Sequence, residues 1–68
     1  MIKITITSMK VDASFVKEHT SFVEGERAYY IIRSSGERQS GYFHTERYAL
    51  EVAWSRVVRF GYVLVKPW

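Results

Sequence analysis

The chain of 68 residues contains no cysteine. That excludes a disulfide framework, a zinc ribbon and a thiol nucleophile, and it suits a reducing cytosol. Long apolar runs are also missing. The longest, "AYYII" and "YVLV", are far too short to cross a bilayer. The N-terminal "MIKITITSMK" lacks the apolar stretch and small-residue cleavage site of a signal peptide. A cytoplasmic protein with no membrane contact is the expectation. Chemistry-bearing groups are few. His19 and His44 stand far apart with no cysteine to complete a metal set, and the only aspartate, Asp12, reads as a helix cap. No nucleophile elbow is present, and "SSGERQSG" does not lead from a strand into a helix with a phosphate-binding lysine. These absences predict a protein that is not an enzyme, with no catalytic residues, no metal and no cofactor.

What is present points to a small folded domain. With 47% hydrophobic and 16% aromatic residues, the composition is that of a packed chain rather than a disordered one. A single domain spanning 1–68 is expected, burying only about 60% of its unfolded surface around one thin core. The net charge of +3 is uneven. Residues 1–26 hold three lysines against four acids, whereas 27–68 hold six arginines and Lys66 against three acids. The basic half is therefore mostly arginine, whose planar fork suits phosphate, carboxylate and aromatic faces.

Periodicity sets the elements. "IKITIT" alternates, with Ile2, Ile4 and Ile6 on one side and Lys3, Thr5 and Thr7 on the other, as a half-buried strand does. "RAYYIIRS" reads as a second strand, Gly36 as the turn, and "RQSGYFHT" as a third strand returning in a hairpin. Thr45 is a good N-cap with Glu46 in the first turn, and the helix runs to about Phe60 with Gly61 at its C-terminus. Ala49, Leu50, Ala53, Val57 and Phe60 gather on its inner face, with Trp54 at the core rim. "YVLVK" closes the chain as another strand. Residues 11–26 admit two readings. One is a helix capped by Asp12 and ended by Gly25; the other makes "TSFVE" a strand turning at Gly25. The expected fold is α+β. It has a small antiparallel sheet of three to four strands with one long helix across one face, in ββαβ order or the ferredoxin-like βαββαβ order.

If Ile2, Ile4, Ile6, Tyr30, Ile32, Phe43, Val63 and Val65 face the helix, alternation turns their neighbours outward. The outward set then includes Lys3, Tyr29, Ile31, Arg33, Arg38, Tyr42, His44, Tyr62 and Lys66. Rings mixed with cations suit a protein hot spot, and equally a platform on which single-stranded bases stack. Arg47 in the first helical turn faces outward, and Trp68 either folds back or offers an anchor. The candidate binding residues are therefore Tyr29, Arg33, Arg38, Tyr42, His44, Arg47, Tyr62, Lys66 and Trp68.

Gly41-x-Phe43-x-Thr45-x-x-x-Ala49, preceded by Gly36 and Arg38, resembles the strand-to-helix junction of Apetala-type DNA-binding domains and of the arm-binding domains of phage integrases. That resemblance implies a sheet backed by one helix, with the sheet reading a nucleic-acid groove. Size and layout also resemble small phage-encoded inhibitors, anti-CRISPR proteins among them. The functional expectation is a non-catalytic binding protein, a phage or prophage accessory factor that occupies the surface of a host protein or nucleoprotein complex in the host cytosol. The alternative partner is a nucleic acid held on the basic-aromatic sheet face. A homodimer is a third arrangement compatible with the sequence.

Overall fold

The computed structural model describes residues 1–65. The chain runs through β1 (Lys3–Lys10), α1 (Ala13–Glu18), β2 (Arg27–Arg33), α2 (Glu46–Phe60) and β3 (Val63–Leu64). The sheet is ordered β2-β1-β3, with β1 in the middle. β2 runs antiparallel to β1, but β3 runs parallel to it. The sheet is therefore mixed rather than antiparallel. The parallel pair is permitted because the long β2–α2 passage carries the chain back across before β3 begins. The fold is α+β, with three strands where a ferredoxin-like order needs four and with two helices rather than one.

α2 forms as its end signals dictate. Thr45 stays extended and its hydroxyl accepts from the Tyr48 N–H at 3.1 Å. Gly61 ends the helix with φ +70°, a left-handed geometry that glycine adopts without the Cβ clash other residues meet. Ala49 and Ala53 are fully buried against Ile4, Ile6 and Ile31. Two alanines one turn apart leave no bulk between helix axis and sheet, so α2 lies close on the strands. Phe60, expected on the inner face, is mostly exposed.

The region 11–26 resolves as a short helix and a loop. The Asp12 carboxylate accepts from the Phe15 N–H at 2.8 Å to start α1, which ends after six residues at His19. The loop closes where Val11 N–H donates to the Glu26 carbonyl and Gly25 N–H donates to the Val11 carbonyl. Val11, Phe22 and Ala28 form a second small core there, with Met9, Phe15, Val16 and Tyr42 packed around it. The two cores lie on opposite faces of the sheet. Ala28 and Met9 are opposed in the β1–β2 register, on the face that α2 does not cover.

The third strand read from "RQSGYFHT" is not a strand. Only two isolated bridges join it to β2, Ile32 with Arg38 and Tyr29 with Phe43. Between them residues 39–42 stand against just residues 30 and 31, so the segment bulges. The Ser40 hydroxyl takes the place of a backbone carbonyl, accepting from the Ile31 N–H at 2.9 Å. A bulge of this kind breaks the ladder and re-aims the side chains that follow.

The phase of β2 is the opposite of the expected one. Ile6 pairs with Ile31 and Ile4 with Arg33, so Tyr29, Ile31 and Arg33 share the α2 face while Tyr30 and Ile32 take the other. Ile31 is 0% exposed. β3 is shifted in the same sense, with Tyr62 and Leu64 packed against the main core. The physical reason is the size pattern. Ala28 is small enough for Val11 and Phe22 to close over it, and that places Ala28, Tyr30 and Ile32 together on the α1 side.

Candidate functional site

The sheet face opposite α2 has Lys3, Thr5 and Thr7 of β1 beside Tyr30 and Ile32 of β2, with α1 and its loop covering only the Met9–Ala28 end. The bulged segment adds two of the expected site residues. The Arg38 guanidinium lies over the Tyr42 ring, 4.7 Å from its centroid, and is held there by donating to the Ser40 carbonyl. Tyr42 meets Tyr30 edge-on at 5.3 Å and Phe15 at 4.9 Å. His19 stacks on Phe15 at 4.3 Å and touches the Tyr42 edge at 5.0 Å. A continuous set of rings therefore runs from α1 across the bulge to β2. Such pairs add roughly 0.5–1.5 kcal/mol each beyond their area burial.

His44 is on the rim of this set. Its ring stacks on Phe22 at 4.0 Å, and Nδ1 lies 3.6 Å from Glu26 Oε1, within ion-pair reach when the imidazole is protonated. The other expected site residues are dispersed. Tyr29 and Tyr62 pack against the main core under α2 and are not on the open face. Arg33 is half-buried on the α2 side, and its Nε has no partner among the described residues. Arg47 is highly exposed on α2, 3.9 Å from Glu51 one turn on. Lys66 and Trp68 lie outside the described residues. The outward expectation for Tyr29 and Arg33 fails because "AYYII" is apolar throughout and carries no phase of its own, which the register against β1 supplies; for Tyr62 the phase comes from the parallel pairing of Val63 and Leu64 with β1.

A second surface lies on α2. Trp54, expected at the core rim, is 59% exposed, and Val58 is 72% exposed. With Leu50, Glu51 and Leu64, Trp54 lines a cavity of about 440 Å³ between α2 and β3. Arg47, Glu51, Trp54 and Val58 follow one another at helical spacings of four, three and four, all exposed, so they form one outward stripe. Placing Trp54 at the edge rather than the centre of the apolar arc was the signal available in sequence.

Among the described residues no three histidine, aspartate or glutamate side chains gather where they would hold a metal ion. Nor, among them, is any helix long and apolar enough to cross a membrane. No protein-family model, no curated protein and no solved structure matches the chain.

Proposed function

We propose that this chain is a non-catalytic binding protein that docks on another protein through the exposed stripe of α2. The observation that carries this reading is the pair Trp54 and Val58, both more than half exposed, beside a cavity lined by Leu50, Trp54 and Leu64. Tryptophan anchors dominate protein interfaces, and a stripe at these spacings is how a helix enters an apolar groove. Arg47 and Glu51 continue the stripe as its polar end. The partner contributes apolar side chains that close over Trp54 and fill the cavity beside it. The accessory-inhibitor role suggested by size and layout belongs to this reading: a domain with a pre-formed surface blocks a host protein or nucleoprotein complex by covering it, with little change of its own shape.

The test is quantitative capture from bacterial lysate by the tagged chain and by Trp54→Ala, Val58→Ala and Ser55→Ala variants. Proteins retained by the wild type and Ser55→Ala, and lost from both other variants, support the reading. Truncating an anchor of this kind costs about 2 kcal/mol or more of binding, roughly a thirtyfold loss of affinity. Capture that is equal across all four proteins overturns it.

A further inference from the structure

The sheet itself carries an unusual charge distribution. β1 and β2 hold Lys3, Lys10, Arg27 and Arg33 and not one acidic residue. All seven acids lie outside the strands, in the loops and on the helices. Of these four only Lys3 is on the open face, because Lys10, Arg27 and Arg33 share the phase of Ile4 and Ile31 on the α2 side; the open face joins Lys3 to rings and hydroxyls. Lys3 is at one end of β1, Thr5 and Thr7 are in its middle, Tyr30 and Ile32 are alongside, and Arg38 caps Tyr42 at the margin. Lys3 and Arg38 stand on either side of a flat, partly apolar centre, and Glu26 at the rim lies 3.6 Å from His44.

We infer that this face binds a single-stranded nucleic acid. Its two cations take backbone phosphates, and the Tyr30 ring, with Ile32 beside it, takes an unstacked base. Rings can receive bases only when those bases are not already stacked in a duplex. The threonine hydroxyls supply neutral donors and acceptors between the charged ends, and these contacts do not depend on base identity. Tyr42 has a supporting role, because Arg38 lies over it and Phe15, His19 and Tyr30 surround it. It fixes Arg38 and Tyr30 in place and leaves the stacking to Tyr30. This surface is on the other side of the sheet from the α2 stripe, so the two inferences stand or fall on separate substitutions. Together they describe a protein able to meet both components of a nucleoprotein complex.

The experiment is fluorescence anisotropy with labelled pyrimidine strands of about 12 nucleotides, one DNA and one RNA, and a matched duplex, across a salt series. Wild-type protein is expected to bind the single strands more tightly than the duplex, and the stronger of the DNA and RNA arms identifies the sugar preferred. Each phosphate contact contributes about 0.7 to the slope of log affinity against log salt for a single strand. Lys3→Ala and Arg38→Ala, both exposed positions with little effect on folding, should therefore each flatten that slope by about 0.7. Tyr30→Ala should lower affinity at least fivefold at unchanged slope. Ser55→Ala, exposed on α2 on the other side of the sheet, should change neither. Three results overturn the proposal. They are no binding to either single strand at low salt, tighter binding to the duplex, and a slope unchanged in the Lys3→Ala/Arg38→Ala double variant.

Discussion

Ile31 and Ile32 are adjacent on β2, share one chemistry, and have opposite surroundings. Ile31 is fully buried between Ile6 of β1 and the alanines of α2. Ile32 is only half-buried, on the face that holds Tyr30 and Thr5. The same contrast separates the two cores. Under α2 the packing is aliphatic and close, with isoleucines against alanines. On the other side Val11, Phe22 and Ala28 make a smaller core at one end, surrounded by half-buried rings that touch edge-on. A short chain can close only one face of its sheet completely. Here that is the face beneath the 15-residue helix, and the remaining face is left for rings, hydroxyls and cations.

Substitutions can break or sharpen this contrast, and the largest effect is expected in the main core. Ile31→Ala should cost about 2–5 kcal/mol, seen as a lowered urea midpoint with the slope unchanged. Phe22→Ala removes the lid of the smaller core. We expect a global cost below that of Ile31→Ala and faster amide exchange confined to residues 11–26, with α2 protected as before. Equal loss of protection in α2 would show that the two cores are one cooperative unit. Thr45→Ala deletes the hydroxyl that accepts from Tyr48 N–H and should cost about 1 kcal/mol, measured by thermal unfolding. Arg38→Ala should change stability least, by no more than about 0.5 kcal/mol, because its guanidinium stacks on an exposed margin. A large loss there would mean that the ring set holds the fold rather than a ligand.

The parts of the fold legible in sequence are those specified locally. β1 is legible because Ile2, Ile4 and Ile6 alternate with polar residues, and α2 because Thr45 and Gly61 mark its ends. Asp12 and Gly25 likewise marked the limits of the uncertain region, although not the six-residue length of the helix between them. What could not be read depends on partners distant in the chain. "AYYII" offers apolar residues to both faces, so one position of register decides the matter, and Ala28 beneath Phe22 fixes it. Nor does the sequence show that the Ser40 hydroxyl replaces a ladder carbonyl, which turns an expected strand into a bulge. Of the candidate site, Arg38 and Tyr42 do face the open side as expected. Tyr29 and Tyr62 pack in the main core instead, and Trp54, at the edge of the helix's apolar arc, is exposed rather than a core-rim residue.

The division of the sheet into one closed and one open face is tested most directly by urea unfolding of Ile31→Ala beside Ile32→Ala. The same three carbons are removed at neighbouring positions, so differences in chemistry cancel. The structure predicts a loss of about 2–5 kcal/mol at position 31 and about 1 kcal/mol or less at position 32. A greater loss at position 32 would reverse the phase of β2 and contradict the assignment of both faces.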